Sequence, residues 1–183
     1  MWFSDNCLVA TIFVLWVLLN VGLFTQGIRY VRLGLFPLDN EGPKLAEVLT
    51  YIGRGFGRTL LLNCSLVVTP MTRALVHALR RTWLNVLMPF DDATRAHKTL
   101  GYAITVGAIG HATCLFSVYF LRWSNEEMWA GGIFGLKTTF VTGISLVATL
   151  TVIFVGSLAC IRRTSRFEVF WLSHHFFIAH KML

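Results

Sequence analysis

Residues 99–121 read "TLGYAITVGAIGHATCLFSVYFL". No charged side chain interrupts this run, and it exceeds the roughly 18 apolar residues that mark a transmembrane helix candidate. Two further runs without charge lie on either side of it, at residues 7–24 ("CLVATIFVLWVLLNVGLF") and residues 138–161. The whole chain of 183 residues is 55% hydrophobic, where a soluble domain holds about 45–50%. Its mean hydropathy is +0.64. The apolar excess is gathered into runs, so the length is spent on membrane helices and not on a soluble core. The N-terminal run does not read as a secretory signal, because no basic segment precedes it and no clear small-residue cleavage site follows. The expected fold is an all-α membrane protein, a helical transmembrane bundle occupying residues 1–183.

Five helices are expected. The first covers about residues 7–24, and a loop with Pro37 and Gly42 follows. The second covers about 47–72, with Pro70 kinking or ending it. Asp91, Asp92 and Thr94 precede the third, at about 95–121, where N-cap residues and first-turn acids are favourable. The fourth covers about 136–161, after the loop "RWSNEEMWAGG". The fifth starts at Phe167 and reaches the last residue at only the lower limit of a span, about 17 residues.

The formal net charge is +7. In a soluble chain this would raise nucleic-acid binding, but here the positive-inside rule accounts for it. Arg73, Arg80, Arg81, Arg95 and Lys98 cluster in one loop region, and Arg162, Arg163 and Arg166 in another. The intervening loops offset Arg29, Arg32 and Lys44 with Asp39 and Glu41, and Arg122 and Lys137 with Glu126 and Glu127. Alternating helices then put the N-terminus and both basic loops in the cytoplasm, with lipid and not nucleic acid as the surroundings. The membrane itself is either the plasma membrane or an endomembrane. Cys7, Cys64, Cys114 and Cys160 all lie in apolar context without a CxxC pair and read as buried membrane thiols.

Polar residues inside these helices carry the chemistry. Arg54 and Arg58 stand four apart on one face of the second helix. A charge at membrane depth costs about 2.5–3.5 kcal/mol on insertion scales, so it faces a polar partner or snorkels to the interface. His97 and His111 are 14 residues apart on the third helix, which puts both rings on one face about 21 Å apart along the axis. Stacked positions at the two edges of a core of about 30 Å suit a two-haem electron wire, in which imidazoles from two helices clamp each iron. His174 and His175 begin the fifth helix at the level of His97, and only one of the two adjacent rings can point at a given partner. His180, six residues later, is too low for His111. A packing or proton-relay histidine is the plain alternative for any one of these, and His77 reads as an ordinary loop histidine. A single zinc ion would need ligands closer together than His97 and His111.

The same stretches carry a family resemblance. "RFEVFWLSHHFFI" resembles the fifth helix of the catalytic subunits of superoxide-generating NADPH oxidases, in particular the phagocyte-type branch. "RAHKTLGYAITVGAIGHATCLF" is similar to their third helix, "RGFGRTLLLNCSLVVTPMTRAL" to the second, and "LNVGLF" to the end of the first. The resemblance implies a six-helix bundle of the ferric reductase-like transmembrane superfamily, with two b-type haems and a following cytosolic dehydrogenase that binds FAD and NADPH. It implies His97 and His174 as ligands of an inner haem iron, His111 as one ligand of an outer haem iron, and Arg54 as a catalytic cation beside the oxygen-reducing site. O2 is the implied electron acceptor and superoxide the product, and a small membrane subunit and cytosolic regulators are the implied partners. Two departures stand out: Leu115 replaces a histidine one turn past the outer ligand, and the loop between the third and fourth helices is short and has no Asn-x-Ser/Thr. The second fifth-helix histidine of the family would fall beyond Leu183. The chain therefore reads as five of six helices, the fifth incomplete and the dehydrogenase absent, inactive towards NADPH on its own. No Gly-rich phosphate loop is present. The competing expectations are a ferric or metal reductase haem domain, and a non-catalytic form that binds the oxidase's membrane partner.

Overall fold

The computed structural model describes residues 2–34, 43–82, 93–122, 138–162 and 167–182. Seven α-helices occur among them: α1 (Trp2–Arg32), α2 (Lys44–Leu66), α3 (Arg73–Arg80), α4 (Ala93–Arg122), α5 (Thr138–Ser157), α6 (Ala159–Arg162) and α7 (Phe167–Met182), with a 3₁₀ turn at Thr69–Met71. The protein is all-α. The five expected helices correspond to α1, α2, α4, α5 and α7, and the two additional ones are short. The loop residues Pro37 and Gly42, the capping residues Asp91 and Asp92, the loop after Arg122, and Arg163 and Arg166 lie outside the described residues.

Of the described helices, Val9–Arg32 and Ala93–Leu121 are long and apolar enough to cross a membrane. A third span results if Lys44–Met71 and Arg73–Arg80, bent by 74° at their junction, count as one. The helix α5 keeps only a shorter apolar stretch, Val141–Ser157. Its early end differs from the expected reach to residue 161. At the break the Ser157 hydroxyl donates back to the Ile153 carbonyl at 2.6 Å, a bond that competes with the helix ladder, and the Leu158 N–H goes to Val155 three residues back. Large apolar side chains such as Leu15, Leu18 and Phe120 stay 60–73% exposed. Such an exterior suits lipid as the solvent, and the chain is an integral membrane protein.

The chain divides into two compact units, Met1–Val118 and Tyr119–Leu183. In the first, α1 packs on α2 with the backbones in close approach. A Cβ added at Gly27 would lie 2.7 Å from the Arg54 carbonyl oxygen and 2.9 Å from the Gly55 Cα. Toward the other end of the pair, Asn63 is 2% exposed and joins the two helices. Its side-chain oxygen accepts from Trp16 Nε1 at 2.9 Å, and its amide donates to the Asn20 side chain at 2.7 Å and to the Thr59 carbonyl at 2.9 Å. A buried amide survives in an apolar bundle only when its bonding capacity is used this way. In the second unit α7 lies against α5, where Gly156 faces the buried Ser173 so closely that a Cβ there would collide with it.

The cysteine expectation needs correcting. Cys114 is buried and Cys64 partly so, but Cys7 and Cys160 are exposed on their helices. Apolar sequence context reports the bilayer, and it does not report burial against protein.

Candidate haem site

The helix α2 ends where Pro70 forces it to. Proline has no N–H, and the Met71 and Thr72 amides close 3₁₀ bonds to Val68 and Thr69 at 3.0 and 3.2 Å. The Val67 carbonyl at the helix C-cap thus receives neither of these amides. It meets the His97 ring instead, with Nδ1 at 2.8 Å. Fourteen residues up the same helix, Gly53 presents its carbonyl to His111 Nδ1 at 2.7 Å. The donors are 14 apart on α4 (111 − 97) and the acceptors 14 apart on α2 (67 − 53), in opposite chain directions. One antiparallel register of α2 against α4 therefore satisfies both histidines.

Glycines make room for that register. A Cβ at Gly57 would lie 3.3 Å from His111 Cε1, and one at Gly53 would lie 3.2 Å from the buried Cys114. Gly110 on α4 faces the Phe56 ring, where a Cβ would be only 2.6 Å from its edge. Gly53 and Gly57 form the small-xxx-small pattern that lets membrane helices approach closely. Sequence reasoning read the arginines of "GRGFGR" and passed over these glycines, although their spacing was the available signal.

The bonding fixes the tautomer of each imidazole. A neutral ring that gives its Nδ1–H to a carbonyl keeps its lone pair on Nε2, the arrangement found where a histidine binds metal and a backbone carbonyl orients it. Both rings are half-buried. Their donor chemistry fits axial haem iron. Among the described residues no group of three His, Cys, Asp or Glu could hold a metal ion, so the two imidazoles stand as separate donors.

The second unit places His174 and His175 differently. His174 is half-buried, stacks on Phe170 with ring centroids 5.2 Å apart, and approaches the Ser157 hydroxyl of α5 with Nδ1 at 3.4 Å. His175 is exposed, bonds the Trp171 carbonyl of its own helix through Nδ1 at 2.6 Å, and stacks on the Trp171 ring at 4.2 Å. The adjacent rings diverge, as neighbours about 100° apart on a helix must. The side chain of His180 lies outside the described residues.

Arg54 and Arg58 are both exposed within the first unit. Arg58 lies over the Tyr30 ring of α1, its guanidinium carbon 5.5 Å from the centroid, within cation–π range. Arg54 adjoins Gly53, which holds His111, and stands about 100° from it around the α2 axis. His77, expected in a loop, sits on the helix α3.

A multi-span helical protein with imidazoles stacked along one helix and braced by its neighbour is the class that this fold and site define. The chain belongs to the family described as the ferric reductase like transmembrane component, whose model matches residues 55–183. It is 28% identical over 200 residues to respiratory burst oxidase homolog protein A of Arabidopsis thaliana, covering 95% of this chain and 22% of that protein. It is 29% identical over 154 residues to human NADPH oxidase 5, covering 76% of this chain and 20% of that protein. A superoxide-generating NADPH oxidase heavy chain of Dictyostelium discoideum is 29% identical over 147 residues, 72% of this chain and 28% of that protein. The chain thus spans between a fifth and three tenths of the length of these relatives.

Proposed function

We propose that this chain is the haem-bearing membrane part of an NADPH oxidase and carries electrons across the bilayer to O2, forming superoxide when joined to a dehydrogenase. The observation that carries the reading is the matched pair of carbonyl-braced imidazoles, His97 with Val67 and His111 with Gly53, at equal intervals on two helices. Each ring is held in the tautomer that offers Nε2, and the two lie about 21 Å apart along α4, near opposite edges of the apolar core. Haem bound by such imidazoles supplies a one-electron carrier.

The assignment is residue by residue. His97 and His174 would hold the inner haem iron, with His174 preferred over His175 because its ring is half-buried and faces α5 while that of His175 is exposed. His111 would hold the outer haem iron from one side. Arg54, a cation near the His111 level of α2, would attract the negative charge that develops on reduced oxygen or the propionates. The N-terminus and the basic segments face the cytoplasm in this reading, by the positive-inside rule. FAD and NADPH would belong to a dehydrogenase, and a small membrane subunit and cytosolic regulators would be partners of the assembled enzyme. The relatives named as oxidases favour O2 over ferric iron as the acceptor, and competition between O2 and ferric chelates in an assembled enzyme separates the two.

The test is optical. A reduced-minus-oxidised spectrum of the extracted chain should contain b-type haem bands, and His97→Leu should remove the component that His174→Leu also removes. A spectrum without haem bands, or one unchanged in both variants, would refute the proposal.

A further inference from the structure

The helix α3 and its C-cap Arg81 hold none of the proposed haem ligands, and their side chains are sorted by chemistry. At about 100° per residue, Arg73, His77, Arg80 and Arg81 fall within an arc of about 100°. Leu75, Val76 and Leu79 occupy another arc of similar width on the other side. Arg73, Ala74, His77, Ala78 and Arg81 line one open surface hollow of about 430 Å³. The axis of the helix turns by 74° from that of α2. If α2 stands near the membrane normal, α3 then runs close to the plane of the bilayer surface.

We infer that α3 is an interfacial helix that binds anionic phospholipid headgroups through Arg73, His77, Arg80 and Arg81, with Leu75, Val76 and Leu79 seated at the acyl boundary. A two-faced basic helix lying in the surface plane is the geometry that this binding takes. The positive-inside rule explains a surplus of bases near this membrane face, but it does not sort them onto one side of a helix with leucine and valine on the other. Arg80 and Arg81 also suit the helix dipole at the C-terminal end, whereas Arg73, the first residue of α3, opposes it. A phosphate at the Arg73 end removes that conflict, since a helix N-terminus and a guanidinium both favour an anion. The bilayer supplies such phosphates at the level of the bend without any further partner. The inference needs the membrane placement of α2 and not the presence of haem, so it survives a failed haem test.

The experiment uses the full chain in neutral detergent, with native mass spectrometry reading the lipids it retains. Phosphatidylserine should be retained in clear preference to phosphatidylcholine. Each basic residue near an anionic surface contributes roughly a fivefold preference. The triple variant Arg73→Ala, Arg80→Ala, Arg81→Ala should therefore reduce the serine-to-choline ratio by up to about a hundredfold, and the corresponding triple lysine variant should keep most of it. If the alanine variant does not fold, the single exposed change Arg73→Gln serves instead and should lower the ratio about fivefold. Equal retention of both lipids by the wild type overturns the inference and leaves the face to an acidic protein partner. So does an unchanged ratio in Arg73→Gln, or binding of soluble glycerophosphoserine as tight as that of the lipid.

Discussion

The two units hold their histidines by different means. In the first, His97 and His111 lean on carbonyls of the neighbouring helix α2, which side-chain exchange cannot delete. In the second, His174 has a long contact to a serine hydroxyl and His175 a bond to its own helix. The first arrangement links the position of each ring to how closely two helices approach and therefore depends on glycines and on Pro70. The second leaves ring orientation to side chains. Ring placement in the first unit should respond to backbone changes, and in the second to side-chain changes.

The largest test of that contrast is Gly27→Ala. The added methyl meets backbone atoms of Arg54 and Gly55, which cannot rotate away, so α1 must move off α2. Overpacking of this kind costs about 1–3 kcal/mol, and the upper end is expected here. Thermal unfolding of the detergent-extracted protein measures it, and an unchanged midpoint would mean that the helix pair is looser than described.

Asn63→Leu should come next, at about 1–2 kcal/mol. It strands the Trp16 indole N–H and the Asn20 side-chain oxygen in an apolar setting, while membrane hydrogen bonds average less than a full desolvation penalty. Combining it with Gly27→Ala sharpens the comparison: both act on the α1–α2 pair, so their costs should fall short of additivity.

Pro70→Ala should alter only one histidine. A restored N–H, or a helix continued by Met71, competes for the Val67 carbonyl and loosens the His97 ring, while Gly53 and His111 are untouched. Nitrogen-15 chemical shifts of the two imidazoles report it: the His97 Nδ1 signal moves and the His111 signal stays. Equal movement of both would show that α2 shifts as a whole.

Ser157→Ala is the smallest. At 3.4 Å the contact to His174 is beyond the usual hydrogen-bond range, so its loss should cost less than about 0.5 kcal/mol. A larger loss would make the serine a true anchor and weaken the contrast between the units.

The sequence made the membrane class legible because chargeless runs are a direct statement about solvent. Helix type, the histidine spacing on α4 and the end of α2 at Pro70 were legible for the same reason: each follows from local period or local covalent structure. Helix ends were less so. The span α1 runs to Arg32, well past the apolar run that announced it, because backbone pairing continues into polar residues where hydropathy has already fallen. The helix α5 stops at Ser157, where the Leu158 N–H turns to the Val155 carbonyl, a local change that no hydropathy pattern records. The braces of the candidate site were hidden for a different reason. A carbonyl acceptor has no residue identity, and Val67 and Gly53 became functional candidates only when two helices were laid side by side.

That side-by-side fit restricts how these two helices can change length. One residue inserted between His97 and His111 would rotate one imidazole by about 100° and displace it by about 1.5 Å from its carbonyl, unless a residue were also gained between Gly53 and Val67. The two segments therefore behave as a matched pair of rulers. Descendants of this sequence can exchange side chains along either ruler where glycine is not needed for close approach, but their tick marks must be added or lost together.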